Sequence, residues 1–276
     1  MIRSNPPGVL GEIGLKTKTR IEALKKQKPV SVLEETKISR KPRDLAQVMK
    51  EHRQPAVIAE VKLASPSQGD IAPGLLPVEV AGDYLAAGAA ALSVLTEPEY
   101  FKGDIEYLRS IREAYPSAVL LMKDFVVDPY QLHLATWAGA DAVLLIVALL
   151  DPKGLKALYE ESRSLGLSVL VEVHNEEELK EALALGPELV GVNNRDLRNL
   201  SIDLATSETL IPRIPENIAK VAESGLEKAE DLERLVKIGC DGFLIGTSFM
   251  KTRSPHESMA YLKAKYKELV GDFSTD

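Results

Sequence analysis

Lysine and glutamate residues lie at or near the ends of several short apolar segments of this chain. Glu60 and Lys62 end VIAEVK (57–62), Lys123 ends AVLLMK (118–123), and Glu172 lies near the end of SVLVEV (168–173). Residues two apart in a strand share a face, so Glu60 and Lys62 point to the same side. One charged strand end is usually only solvated, and a Glu60–Lys62 ion pair would be ordinary. Because charged residues recur at the ends of several strands, we predict a crowded group of acids and bases. Crowding of this kind shifts pKa values, and enzymes use such shifts to make acid–base pairs.

Two further segments add polar groups followed by glycine. AKVAES (219–224) ends in Glu223 and Ser224 and is followed by Gly225, while GFLIG (242–246) ends in Gly246 and leads into Thr247. Glycine lets the backbone approach a ligand closely, and the N–H groups of a following helix start can hold a phosphate. The pattern indicates a phosphate site, although glycines after strands also serve simply as turns.

These side chains need elements that bring them to one place. Segments rich in β-branched residues alternate with amphipathic helical patterns that end in glycine, which is typical of strand–helix units. The predicted strands are 57–62, 91–95, 118–123, 142–147, 168–173, 189–194, 219–224 and 242–246. Their nearly continuous apolar character predicts a parallel sheet covered on both faces.

Eight such units predict an α/β fold, a closed (β/α)8 TIM barrel, whose active site lies at the carboxyl ends of the strands. An open doubly wound sheet is the alternative, but the G-x-G-x-x-G motif of its nucleotide-binding members is absent after the first strand. We expect one domain over residues 1–276, with a helical extension at 1–50 and the barrel at 51–276. In the extension, 10–27 and 43–52 are predicted helices, which could cap the barrel or reach over its mouth.

Composition excludes several classes of protein. A net charge of −7 argues against nonspecific nucleic-acid binding. The apolar runs are shorter than a membrane span, and the first residues lack the apolar core of a signal peptide. Cys240 is the single cysteine, so no disulfide within the chain is possible. The expectation is a cytoplasmic protein. The four histidines form no metal motif, and His174 is expected to be an ordinary loop-start residue.

Several stretches together resemble the indole-3-glycerol phosphate synthase family. They include IAEVKLASPSQG (58–69), LLMKDFVVDPYQ (120–131), GVNNRDL (191–197), VAESGL (221–226) and FLIGTSFM (243–250). The matches cover all eight predicted strands, and the N-terminal helices resemble the family's extension. The resemblance implies tryptophan biosynthesis and an anionic sugar-phosphate substrate, which loses carbon dioxide and water as an indole ring closes. It implies no cofactor and no metal, and we expect a monomer.

The resemblance also implies roles for individual residues. Lys123 matches the general acid, Glu172 the general base, Lys62 a lysine that contacts charged groups of the substrate, and Glu60 a residue that orients that lysine. Which lysine donates a proton at which step stays open. The positions implied for substrate binding are Ser65, Phe101, Phe125, Leu144, Asn193, Arg195, Leu197, Glu223, Ser224 and Ile245. Those implied for the phosphate are Gly225, Gly246 and Thr247.

Departures from the family pattern are small. Gln68 and Leu63 replace frequent lysines, and Thr247 replaces a frequent serine. The loss of a positive charge at Gln68 is expected to weaken substrate capture by a mobile loop. Other activities remain as alternatives: a related sugar-phosphate barrel such as phosphoribosylanthranilate isomerase, a Schiff-base aldolase, or a degenerate barrel that serves as a scaffold.

Overall fold

The structure, a computed structural model, describes residues 1–52, 56–65, 69–71, 74–250 and 254–271. Parallel strands close into a barrel, in which each barrel strand pairs with the barrel strands before and after it in the chain and the last pairs with the first. This confirms the predicted (β/α)8 fold and excludes the open sheet. The barrel strands are β1 (Ala56–Val61), β4 (Ala91–Leu95), β5 (Leu120–Lys123), β6 (Ala142–Ile146), β7 (Ser168–Val173), β8 (Leu189–Asn193), β9 (Ala219–Glu223) and β10 (Gly242–Ile245). Two short strands, β2 (Ala64–Ser65) and β3 (Gly69–Asp70), pair antiparallel in the loop after β1.

Helices surround the barrel and form its extension. They are α1 (Leu10–Gln27), α2 (Val30–Thr36), α3 (Leu45–Glu51), α4 (Pro77–Ala86), α5 (Pro98–Phe101), α6 (Ile105–Ala114), α7 (Tyr130–Ala138), α8 (Pro152–Ser164), α9 (Glu176–Leu183), α10 (Ala205–Leu210), α11 (Ala229–Lys237), α12 (Thr247–Met250) and α13 (Pro255–Val270), with a 3₁₀ turn at Ile211–Arg213. Among these helices, none has the length and apolar character that crossing a membrane requires.

The strand register brings the predicted polar residues to one rim. Glu60 pairs in register with Ser93, Leu95 with Lys123, Ile146 with Glu172 and Asn193 with Glu223. Because all these strands run in the same direction, their carboxyl ends meet at the same end of the barrel. The residues below the rim are buried and apolar, so they form a packed core beneath a polar chamber.

The N-terminal extension contacts both ends of the barrel. Helix α1 lies at the polar rim, where Arg20 pairs with Asp124 at 3.1 Å and Lys25 pairs with Asp128 at 2.7 Å. Helix α3 lies at the opposite end, where the backbone N–H of Leu45 donates to Ser168 Oγ at the start of β7. The bounds of α1 match the prediction. Helix α2 was not predicted, because its seven residues bury only Leu33 against the protein and give no clear amphipathic pattern.

A buried ion cluster fastens the extension to the amino end of the barrel. Asp141 is fully buried and accepts hydrogen bonds from the backbone N–H groups of Arg43 and Leu120. Its carboxylate also pairs with Arg40 and Arg112, each at 2.6 Å. Arg112 is itself buried, and three backbone carbonyls accept hydrogen bonds from its Nε and Nη1 groups at 2.8 Å. A buried charge is tolerated when it is paired and hydrogen-bonded in this way.

Candidate active site

A cavity of about 210 Å³ opens at the carboxyl end of the barrel. The structure brings nearly all of the sequence-predicted site residues to its wall. They are Glu60, Lys62, Phe101, Lys123, Phe125, Leu144, Glu172, Asn193, Arg195, Leu197, Glu223, Ser224, Gly225, Ile245, Gly246 and Thr247. The Ser65 side chain and Gln68 lie outside the described part of the chain, so their predicted contributions to the loop after β1 stay predictions.

Lys123 lies between two buried carboxylates. Its Nζ is 2.7 Å from Glu223 Oε2 and 3.7 Å from Glu172 Oε2. Burial alone would lower the pKa of Lys123, but Glu223, Glu172 and Glu60 outweigh this effect and hold that pKa above its ordinary value. At neutral pH this lysine is therefore an ammonium group in contact with two proton acceptors, and it can donate a proton to a substrate oxygen.

The pKa values of the two carboxyl groups, Glu172 and Glu223, are shifted in opposite directions. Burial would raise the pKa of Glu172, but contacts with His174 and Lys123 bring it below its ordinary value. For Glu223, burial and the negative charge of Glu172 outweigh the attraction of Lys123, and the pKa is raised. Adjacent carboxyl groups whose pKa values are driven apart are suited to separate acid and base roles. Glu172 is the ionised member, which fits a base.

Glu60 and Lys62 form a second ion pair across the chamber. Lys62 Nζ is 2.6 Å from Glu60 Oε1, and both side chains are mostly buried. Burial opposes ionisation of Glu60, yet the charges of Lys62 and Lys123 lower its pKa. Gly246 makes room for this carboxylate, because a Cβ at that position would lie 2.6 Å from Glu60 Oε1. The pair therefore depends on the glycine that follows β10.

Gly191 makes room for Glu223 in the same way. A Cβ on Gly191 would lie 2.2 Å from Glu223 Oε1. That oxygen is buried and has no hydrogen-bond partner among the described residues, whereas Oε2 contacts Lys123. A buried acceptor without a donor is costly unless a ligand supplies one. Glu223 Oε1 is therefore available to a donor group of a substrate.

An apolar wall faces these charged groups. The rings of Phe101 and Phe125 are tilted at 37° with their centroids 5.9 Å apart. Leu144 and Ile245 are buried in the cavity lining, and Leu197 contributes from the loop after β8. A surface of this kind can bind an aromatic ring and exclude water from it.

The loops after β9 and β10 form the opposite end of the cavity. Ser224 and Gly225 both have a positive φ, of 66° and 76°, which turns the backbone sharply at the end of β9. A side chain at Gly225 would also meet Ile202 Cγ2 at 2.4 Å. Ser248 Oγ donates to the carbonyl of Leu226 at 3.3 Å and so joins the two loops. Backbone N–H groups of glycine turns and a helix start are suited to an anion.

Comparison with known proteins identifies the family of this barrel. A sequence model described as indole-3-glycerol phosphate synthase matches residues 10–262. The chain belongs to the indole-3-glycerol phosphate synthase family. The curated protein of that name from Aliarcobacter butzleri is 43% identical over 259 residues, covering 92% of this chain and 98% of the relative. The relative from Acidithiobacillus ferrooxidans is 48% identical over 209 residues, which cover 76% of this chain and 79% of the relative's length.

Solved structures show a related fold at much lower identity. The 3-hexulose-6-phosphate synthase from Salmonella typhimurium aligns with a TM-score of 0.63 and 12% identity, over 77% of this chain and 99% of its own. KGPDC from Streptococcus mutans aligns with a TM-score of 0.60 and 14% identity, over 79% of this chain and 100% of its own. At these identities the likeness is one of fold alone.

Several residues of this synthase-family site were not predicted, and three of them bear on its arrangement. Leu10, at the start of α1, lines the cavity. Asp124 accepts hydrogen bonds from Arg20 and from Thr96 Oγ1, at 3.1 and 2.9 Å, and follows Lys123 directly. His174, predicted to be an ordinary loop residue, is 10% exposed and lies between Glu172 and Glu178. The only sequence signal was its spacing of two from Glu172, which placed it near the rim. Within the described residues, no group of three or more histidine, cysteine, aspartate or glutamate side chains has the arrangement of a metal site.

Proposed function

We propose that the chamber closes an indole ring: it converts 1-(2-carboxyphenylamino)-1-deoxyribulose 5-phosphate to indole-3-glycerol phosphate, with loss of carbon dioxide and water. This is the reaction after which the family is named. The observation that carries the proposal is the position of Lys123 between two carboxyl groups, one with a lowered pKa (Glu172) and one with a raised pKa (Glu223). The aromatic wall and the glycine loops of the same cavity match the two ends of such a substrate.

Lys123 is proposed as the acid of the first step. The ring carbon that bears the carboxylate attacks the ketone carbon, a carbon–carbon bond forms, and the ketone oxygen takes a proton from the Lys123 ammonium. Carbon dioxide then leaves, and the bonding electrons return to the ring. Glu223 remains beside Lys123 at 2.7 Å and can return a proton to it. A well-placed acid of this kind contributes about 10²–10⁴ in rate.

Glu172 is proposed as the base of the second step. The new hydroxyl leaves as water after it takes a proton from an acid, and a carbon-bound proton must be removed to complete the indole. Glu172 is buried and ionised, so it can accept this proton. Lys62 and Lys123 are both candidates for the acid of the dehydration. Glu60 holds Lys62 at 2.6 Å and thereby sets its position in the chamber.

The substrate is proposed to lie across the chamber. The anthranilate ring would contact Phe101, Phe125 and the aliphatic wall. The phosphate would lie at the loops that contain Gly225, Gly246 and Thr247. Asn193, Arg195 and Ser224 line the cavity between these ends and are proposed to bind the polar chain of the substrate. Arg195 is half-buried, and one of its N–H groups donates to the carbonyl of Leu200 at 3.1 Å, which fixes its position.

A Schiff-base mechanism is less compatible with this geometry. A lysine that attacks a carbonyl must be a neutral amine, usually with a lowered pKa. The surroundings of Lys123 do the opposite and stabilise its ammonium form. Borohydride treatment with substrate should therefore leave no covalent adduct on Lys123.

The test is the turnover rate of Lys123→Ala and of Glu172→Gln, measured from the fluorescence of the indole product. We expect each change to lower kcat by about 10²–10⁴-fold in a protein that still unfolds in one cooperative transition. Lys220→Met is the matched control, because Lys220 is a buried lysine of β9 that does not line the cavity. Near-normal kcat in either chamber variant would show that the role assigned to it is wrong. A parent protein that releases no indole product would refute the activity itself.

We also propose that residues 1–276 form one domain that acts as a monomer in the cytoplasm. Contacts of α1 and α3 with opposite ends of the barrel support the single domain. The buried free thiol of Cys240 suits a reducing compartment. Sedimentation of the purified chain, which should give a mass near 30.1 kDa, tests the monomer.

A further inference from the structure

His174 links the chamber to the outside of the barrel. It follows β7 directly, and its Nε2 is 3.3 Å from Glu172 Oε1 inside. Its Nδ1 is 3.0 Å from Glu178 Oε2 on α9. The ring does not line the substrate cavity, but it does line a separate surface cleft with residues of α9 and α10. His174 can therefore influence Glu172 without touching a substrate.

Glu178 is itself held firmly on the outer side. Its Oε2 also accepts the backbone N–H of His174 at 2.9 Å, and its Oε1 accepts from Asn175 Nδ2 at 2.7 Å. The N–H of Glu178 donates to Asn175 Oδ1, the cap of α9. Glu178 thus presents a fixed carboxylate to His174. An imidazole between two carboxylates is stabilised as a cation, and although burial opposes this, the pKa of His174 is raised to about 10.

The two oxygens of Glu172 face different cations. Oε2 faces Lys123 at 3.7 Å, and Oε1 faces His174. Lys123 is closer to Glu223, and in the proposed reaction it gives up its proton. At that moment Glu172 loses one of its two positive neighbours. The contact with His174 is not aligned as a regular hydrogen bond, so it acts as an ion pair that depends on the charge of the ring.

We propose that His174 is a positioning residue that holds the Glu172 carboxylate in place and keeps it ionised while Lys123 is deprotonated, with Glu178 as its anchor. The inference rests on the proposed role of Glu172 as the base. Charged groups face His174 from each element packed against it: Glu172 of β7, Glu178 of α9 and Asp196 of the loop after β8, with Glu176, Glu177 and Asp203 around the outer cleft. Arg198 pairs with Asp196 and Arg213 pairs with Glu176, so the carboxylates that favour the cation most are Glu172 and Glu178, which contact the ring.

The kinetic test is the pH dependence of His174→Gln, which keeps a donor amide but removes the charge. We expect the acidic limb of kcat to move up by about 1–3 pH units, the usual effect of losing an opposite charge in contact with a carboxylate. KM should change by less than about 3-fold, because His174 does not line the cavity. A uniform loss at all pH values, or an unchanged profile, would overturn the proposal.

His133→Gln is the matched control. His133 also lies between two glutamates, with Nδ1 2.9 Å from Glu34 and Nε2 3.5 Å from Glu161, but on α7 outside the chamber. Its removal should leave the profile of kcat with pH unchanged. A shift equal to that of His174→Gln would mean that the effect is not specific to the chamber, and would also overturn the proposal.

A second measurement does not depend on turnover. The chain has four histidines, so the ring nitrogens of His174 can be assigned by NMR of ¹⁵N-histidine-labelled protein, with the spectra of His52→Gln, His133→Gln and His256→Gln identifying the other three. We expect a protonated ring at pH 8 and a lower titration midpoint in Glu178→Gln. A neutral ring at pH 8 would refute the proposal even if His174→Gln failed to fold. If the parent protein made no indole product, the proposed function would fail, while this spectrum would still test the His174 ion pairs.

Discussion

Gly191→Ala should disable the chamber by displacing Glu223, although Gly191 itself carries no functional group. The added Cβ would lie 2.2 Å from Glu223 Oε1, and real Cβ contacts essentially never fall below 3.0 Å. The carboxylate must therefore move by roughly 1 Å. The chain cannot relieve the contact easily, because Leu170 Cδ1 lies 3.1 Å from the same point.

The size of the effect follows from the ion pair. Lengthening the 2.7 Å contact between Lys123 and Glu223 by about 1 Å weakens it by about 2 kcal/mol at an effective dielectric constant of about 20. A displacement of about 1 Å in a catalytic group can cost about 10²-fold in rate. We therefore expect kcat to fall by about 10²-fold, with a loss of stability of about 2 kcal/mol.

The assay is a double-mutant cycle of Gly191→Ala and Glu223→Ala, with kcat from indole fluorescence and stability from urea unfolding. When Glu223 is already truncated, the added methyl group meets no carboxylate, so the two losses should not add. Gly242→Ala is the control: it is a strand glycine at the amino end of β10, where the nearest contact is the sulfur of the flexible Met49 side chain at 2.6 Å. Additive losses, or full activity in Gly191→Ala, would refute the reasoning.

Three further outcomes are expected. Asp141→Asn should lower the free energy of unfolding by about 3–5 kcal/mol, because it leaves the buried Arg112 without a full counter-charge, while kcat changes little; a urea-unfolding loss below about 1 kcal/mol would contradict this. Phe101→Leu should raise KM up to about 10-fold with kcat retained, since it removes an aromatic contact of about 0.5–1.5 kcal/mol; steady-state kinetics that show only a fall in kcat would disagree. The folded-state pKa of His174 is about 10 against an ordinary value of 6.5, so its contribution to stability is complete below pH 6.5 and is lost as pH rises toward 10. The free energy of unfolding of His174→Gln, measured in urea, should therefore fall less between pH 6.5 and 10 than that of the parent protein. If the two free energies fell in parallel with pH, this contribution of His174 would be ruled out.

The barrel could be predicted because its strands carry their own signal. β4 and β7 have the predicted bounds, since each is a nearly continuous apolar run covered on both faces. The catalytic candidates were visible for a related reason: Lys123 and Glu172 interrupt such runs at the carboxyl end, where parity fixes the direction of the side chain. Strand ends are local features, and closure of the barrel then brings them together.

The supporting residues could not be predicted in this way. Leu10 has the pattern of any apolar helix residue, and only the docking of α1 places it in the cavity wall. Asp124 matters because Arg20 reaches it from 104 positions earlier in the chain. His174 gains its surroundings from α9, which supplies Glu178. Each depends on contacts between elements, which a periodic pattern does not specify.

The contact between Arg20 and Asp124 has a consequence for protein engineering. Asp124 follows Lys123 directly, and Leu10 of the same helix as Arg20 lines the substrate cavity. A designer who excises the barrel as a minimal scaffold, or exchanges it with another (β/α)8 protein at residue 51, would remove part of the chamber wall and a tether beside Lys123. The smallest portable unit of this enzyme therefore begins within the N-terminal extension, before α1, and grafting designs should transfer both together.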